Sequence, residues 1–121
     1  MLIGQLAKLA GVSRQTVRFY ERKHILEPKA RTSSGYRVYS NADLKRLRLI
    51  IWTKELGFTL REITELLHYC EQSDVEALKQ LVQEKQKDIQ SQLLLLKGKV
   101  TALNRFLKEE DIQHYLLDLS L

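Results

Sequence analysis

From Asp74 to about Lys108 the chain runs without a proline and with a single glycine, Gly98. At 1.5 Å per residue such a run is a helix of about 50 Å. So small a domain cannot bury a helix of that length. The apolar residues are spaced for a partner: Val75, Val82, Ile89, Leu96 and Leu103 recur every seven residues. Leu78 accompanies them first. Lys85, Gln92 and Lys99 then hold its heptad place, and Leu93, Val100 and Leu107 follow one residue later. The stripe is therefore Val75, Leu78, Val82, Ile89, Leu93, Leu96, Val100, Leu103 and Leu107, with a stutter near residues 85–93. Its simplest partner is a second copy of the same helix.

The remaining residues need a different role. A chain of 121 residues is one domain's worth, or a small domain with an extension. Five glycines and one proline argue against a sandwich or barrel. Charge divides the chain: residues 1–62 carry thirteen Lys/Arg against five Asp/Glu, and residues 63–121 carry seven against ten. A basic half joined to a mildly acidic half suggests a polyanion-binding module with an appended partner module. The competing reading is a solvated basic surface with no partner. One cysteine forms no internal disulfide, which fits a reducing cytoplasm. No signal peptide and no membrane span are expected.

Ile3, Leu6, Ala7 and Ala10 form the stripe of a short amphipathic helix. Gly11 suits the left-handed residue after its end, and Ser13 is placed to N-cap the next helix. That second helix is expected from Ser13 to near Lys23-His24. One side offers Arg14, Gln15, Arg18 and Arg22, and the other buries Val17 and part of Phe19. Ala7, Gly11 and Val17 are the small, turn and buried residues that a helix-turn-helix needs. The arginines point to DNA, with the second helix in the major groove.

Pro28 ends helical structure, and Ser33-Ser34-Gly35 signals a turn. Tyr36 to Tyr39 have strand chemistry, with Ile25-Leu26 as the expected opposing strand. The product is a small hairpin wing with a cationic tip. Arg31 and Arg37 can reach phosphates and Tyr36 can add a hydroxyl, whereas Tyr39 is read as closing the core.

The order and spacing of several segments resemble the MerR family of bacterial transcription regulators across about residues 2–70. They are Ile3-Gly4-Gln5-Leu6-Ala7, Gly11-Val12-Ser13, Thr16-Val17-Arg18-Phe19-Tyr20-Glu21, Leu26, Gly35-Tyr36-Arg37-Val38-Tyr39 and Leu56-Gly57-Phe58-Thr59-Leu60-Arg61-Glu62-Ile63. The resemblance implies a mainly α fold: a winged helix-turn-helix domain with a small β wing, a long antiparallel coiled-coil dimerisation helix and a short C-terminal helix. It implies DNA contacts by Arg18 and Tyr20 on the helix and by Tyr36 and Arg37 on the wing. Thr16 falls in the same helix motif and completes the expected contact set. Phe19 stands where the family often has a second tyrosine, so a hydroxyl is lost. The expected division is 1–72 for DNA binding, 73–108 for dimerisation and 109–121 for a closing segment.

Two further helices should support this head. Ser40 or Asn41 caps one, with Leu44, Leu47, Ile51 and Leu56 facing inward. Thr59-Leu60-Arg61-Glu62 is a complete capping box for the next, whose apolar face is Leu60, Ile63, Leu67 and Cys70. By resemblance, Lys54 and Arg61 brace flanking phosphates. Trp52 is expected either against a partner's long helix or in the intrachain core.

After Glu109-Glu110-Asp111, the residues Ile112, Tyr115, Leu116 and Leu119 form a last short amphipathic stretch, expected to close a small pocket rather than build a ligand-binding domain. Metal-sensing relatives use cysteines near the start of the long helix and after it. Here Cys70, His68 and His114 are scattered, so no thiolate metal site and no cofactor are expected. Cys70 is read as a packed hydrophobe, with a sensing thiol as the alternative. No nucleophile–base pair or phosphate-binding glycine loop suggests an enzyme.

The reading is a cytoplasmic, homodimeric regulator that binds and distorts double-stranded promoter DNA alongside RNA polymerase. The alternative is an interaction module that uses the long helix as a coiled coil without specific DNA binding.

Overall fold

The computed structural model describes residues 1–120. Its elements in order are α1 (Ile3–Ala10), α2 (Arg14–Arg22), β1 (Ala30–Arg31), β2 (Arg37–Val38), α3 (Asn41–Glu55), α4 (Leu60–Glu71), α5 (Val75–Phe106) and α6 (Glu109–Ser120). Two compact units emerge, Met1–Val75 and Glu76–Leu121. The fold is mostly helical, with one two-stranded antiparallel wing and one long helix. Among the described residues, no helix is long and apolar enough to cross a membrane.

Local chemistry sets the helix ends in the first unit. Gly11 takes a left-handed φ of 74° after α1, a conformation that costs a residue with a Cβ about 1 kcal/mol or more. The Ser13 side chain then accepts from the Thr16 amide and starts α2. Ser40 caps α3 in a reciprocal box with Asp43, and Thr59 caps α4 in the same way with Glu62. Gly57, at φ 96°, turns the chain between those two helices.

The core of this unit is continuous. Leu6 and Ala7 of α1 are buried with Val17 and Tyr20 of α2, Ile25 and Leu26 of the following segment, and Leu44, Leu47 and Ile50 of α3. Phe58 and the α4 residues Ile63, Leu66 and Leu67 complete it. Each buried aliphatic side chain contributes about 1.5–3 kcal/mol. Thr53 is the buried polar residue; its hydroxyl donates back to Leu49 and Ile50 carbonyls at 2.8 and 3.0 Å. Arg46 fastens the unit, donating from Nε to the Ile25 carbonyl at 2.7 Å and from Nη1 to Glu71 at 2.6 Å.

Several expectations need correction. Ile25 and Leu26 do not form the wing's first strand; both are core, and Ala30–Arg31 pairs with Arg37–Val38 instead. Helix α3 turns Ile50 inward in place of Ile51, and Leu56 stays exposed. Cys70 is exposed, one turn beyond Leu67, the last buried residue of α4. Trp52 is 59% exposed, which excludes the intrachain core position.

In the second unit, α5 spans 32 residues, about 48 Å. Val75, at the end of the first unit, and Val82, Ile89, Leu93, Leu96, Val100, Leu103 and Leu107 are all exposed, and Leu78 is half-buried. Leu81, outside the expected stripe, is the buried residue of this helix. Helix α6 follows, and Tyr115 stacks on Phe106 with centroids 5.0 Å apart. Leu121, the last residue of the expected closing segment, lies outside the described residues.

Candidate nucleic-acid interface

Four arginines of the first unit converge on one cleft. Its volume is about 430 Å³, and it lies between the start of α1, the outer face of α2 and the wing. Arg14, Arg18, Arg31 and Arg37 line it together with Tyr36. Arg14 and Arg18 share a helix face because they are four residues apart. The wing brings up the rest: Thr32 N–H donates to the Tyr36 carbonyl at 2.7 Å, and Gly35 closes the tip at φ 87°. Arg31 folds across that tip and donates to the Gly35 carbonyl at 3.0 Å.

Helix α1 presents its N-terminus to the same cleft through Leu2, Ile3, Gly4 and Gln5. No side chain caps this end. Its first-turn N–H groups and the positive end of the helix dipole therefore favour an anion there. Gly4 lets the Arg14 guanidinium lie close: a Cβ at position 4 would stand 2.7 Å from Arg14 Nη2. Four guanidiniums beside an uncapped helix start suit a chain of phosphates.

One acidic residue is built into this basic face. Glu21 Oε2 lies 3.2 Å from Arg37 Nε, and its side chain is only 9% exposed. Its Oε1 accepts the Tyr39 hydroxyl. Burial first, and then the Glu21 carboxylate, push the Tyr39 hydroxyl above the usual tyrosine range, so it stays a donor. Tyr39 is buried, as the sequence suggested, and exchanges backbone hydrogen bonds with Met1 at 2.7 and 2.8 Å. This network joins the last turn of α2 to the base of the wing. Glu21 was missed as a functional residue; its signal was a lone acid within Arg14–Arg22, flanked by Arg18 and Arg22.

The other sequence candidates divide. Gln15 and Arg22 are exposed on α2 but do not line the cleft. Thr16 Oγ1 is engaged 2.9 Å from Ser13 Oγ at the helix start. Lys54 is exposed in the last turn of α3, outside the cleft. Tyr20 is a correction: it is 6% exposed and packs in the core, where burial raises its hydroxyl pKa. The three-residue step from Val17 carries that information, since it puts Tyr20, not Phe19, on the buried face. Phe19 is more exposed and lies under Lys23 Nζ, 5.7 Å from the ring centroid. Among the described residues, no group of three or more His, Cys, Asp or Glu side chains is placed to hold a metal ion.

Comparison with known proteins agrees with this geometry. Residues 1–70 match the family model described as MerR HTH family regulatory protein, and residues 44–103 match one described as MerR, DNA binding. The chain is 36% identical over 111 residues to the HTH-type transcriptional regulator ZntR of Escherichia coli strain K12, covering 85% of this chain and 75% of ZntR. The transcription regulator PbrR691 from Ralstonia metallidurans CH34, solved with lead(II), superimposes with a TM-score of 0.65 at 32% identity, over 87% of this chain and 86% of that one. The EcmrR–DNA complex in EcmrR-RPo superimposes with a TM-score of 0.65 at 26% identity, over 91% of this chain and 41% of EcmrR.

Proposed function

Because the chain belongs to the MerR family of DNA-binding transcriptional regulators, we propose that it binds promoter DNA as a homodimer and distorts the duplex to control transcription. The observation that carries this reading is the single cleft that gathers Arg14, Arg18, Arg31, Tyr36 and Arg37 from two elements. Helix α2 enters the major groove, and the wing grips the adjacent backbone. Phosphate contacts fix register, while sequence-dependent deformability supplies specificity at positions the protein never touches.

The stripe along α5 pairs with the same stripe of a second copy, antiparallel, so that two heads face a two-fold site. Residues 1–72 bind DNA, 73–108 dimerise and 109–121 close the assembly. The dimer works in the cytoplasm, next to RNA polymerase on the same promoter. With one cysteine in the chain, its effector is not a metal held by a thiolate cluster. Solvent-exposed Cys70 is the candidate sensing thiol.

Selection of duplexes from a randomised pool tests this function. An enriched two-fold motif, bound by two protomers in sedimentation, is the expected result. A pool that stays random through the selection, on a protein that sediments as a monomer, refutes it in favour of an interaction module without specific DNA binding.

A further inference from the structure

Phosphate contacts are assigned above to basic residues, yet the best-held charge at the interface is acidic. Glu21 is nearly buried on α2, and both its carboxylate oxygens are engaged by residues of the wing strand and its end. Oε2 takes Arg37 at Nε, the inner corner of the guanidinium. The contact is an ion pair at 3.2 Å; among the described residues Arg37 Nη1 and Nη2 make no hydrogen bond, the Arg37 side chain is 48% exposed, and the residue lines the cleft. A guanidinium is planar and carries five N–H donors in a fixed fork, so gripping one corner orients the rest.

We propose that Glu21 is a positioning residue for DNA binding: by holding Arg37 at Nε and the wing through Tyr39, it presents the outer edge of Arg37 as a fixed fork for a backbone phosphate. The inference rests on the DNA-binding reading above. An exposed arginine alone would lose side-chain freedom on meeting a phosphate. With Glu21 in place much of that ordering is already complete in the free protein. The carboxylate also fixes the angle between α2 and wing, so the two contacts reach the duplex together.

An alternative geometry gives the opposite sign. If Glu21 merely neutralised Arg37, removing its charge would free a cation and strengthen binding. The experiment is a fluorescence titration of a random-sequence duplex over a range of KCl concentrations, which reads phosphate contacts without requiring a known operator. Wild type, Glu21→Gln, Arg37→Ala and the double variant are compared, all well below their melting temperatures. Support consists of about tenfold weaker binding by Glu21→Gln, a salt slope lower by about one, and a double variant no worse than Arg37→Ala. Unchanged or tighter binding by Glu21→Gln overturns the proposal.

Should Glu21→Gln fail to fold, Arg37→Lys decides. A lysine ammonium keeps the charge but cannot serve Glu21 and a phosphate with two separate edges. It should therefore lose affinity and slope as Arg37→Ala does; retention of both overturns the proposal. If the wild type itself shows no salt-dependent binding, the DNA-binding reading fails and takes this inference with it, an outcome distinct from the variant-specific ones.

Discussion

The Tyr39 hydroxyl, just past the second wing strand, donates to Glu21 Oε1 in the last turn of α2. The two residues are eighteen positions apart, and between them the chain makes the whole wing. Tyr39 is 2% exposed, so the bond is made where water competes poorly. It couples the stability of the head to the placement of the wing.

The first prediction follows from the sign of that coupling. Burial and Glu21 raise the folded-state pKa of Tyr39 above its ordinary 10.0. A raised pKa means the neutral form is favoured in the fold. The contribution is fully present below the unfolded value of about 10, and declines as pH rises above it toward the folded value. In that window the slope is about 1.4 kcal/mol per pH unit. Tyr39→Phe should lose about 1.5–3 kcal/mol at neutral pH, because a charged acceptor loses its donor. It should then lose less than wild type on alkalinisation. Urea melts on both sides of pH 10 check this, and parallel pH profiles would contradict it. Tyr20, also raised by burial, remains in both proteins and cancels.

Arg18→Ala probes the helix side of the interface. Arg18 is exposed and lines the cleft, so folding stability should change by no more than about 0.5 kcal/mol. Affinity for a random-sequence duplex should fall, and the salt slope should drop by about one. An unaltered slope would remove Arg18 from the phosphate contacts.

These two residues illustrate what the sequence makes legible. Caps and turns at Gly11, Ser13, Ser40, Gly57 and Thr59 depend on a few adjacent residues, and each appears where the local chemistry puts it. Arg14 and Arg18 were legible as residues of one face because charge and helical spacing name it, and Tyr36 and Arg37 were legible as wing residues because a turn signal precedes strand chemistry; all four line the cleft. Their partner Glu21 was not, since nothing local says that a carboxylate will meet a wing sixteen residues away. Ile25-Leu26 looked like a strand because a short apolar pair fits either a strand or a buried segment, and only tertiary packing separates the two. Cys70 repeats the face of Ile63 after seven residues, but periodicity does not reveal where the opposing surface ends.

Thr59→Ala tests a purely local contribution. Thr59 Oγ1 accepts from the Glu62 amide at 3.1 Å, and Glu62 Oε1 accepts from the Thr59 amide at 2.9 Å. Removing the hydroxyl leaves the Glu62 amide to water and should cost about 1 kcal/mol. Thermal melting should register the loss while the salt slope for DNA stays at the wild-type value, because Thr59 does not line the cleft. A changed slope would mean that α4 sets the interface geometry.

The last prediction concerns the long helix. Leu96 and Leu103 are exposed one heptad apart on α5, at 56% and 63%. An apolar stripe left in water gains about 25 cal/mol per Å² when a partner covers it. Burying the stripe in a dimer makes the melting temperature depend on protein concentration, since association stabilises the folded protomer by mass action. Leu96→Lys and Leu103→Lys should each abolish that dependence, because a lysine ammonium in a helix seam must be desolvated without a partner. The first unit should remain folded, since neither residue belongs to its core. DNA affinity should then fall by roughly two orders of magnitude or more, the avidity that linking two heads supplies. Sedimentation and titration of the same samples separate the terms: a monomeric variant that binds DNA like wild type would show that one head suffices.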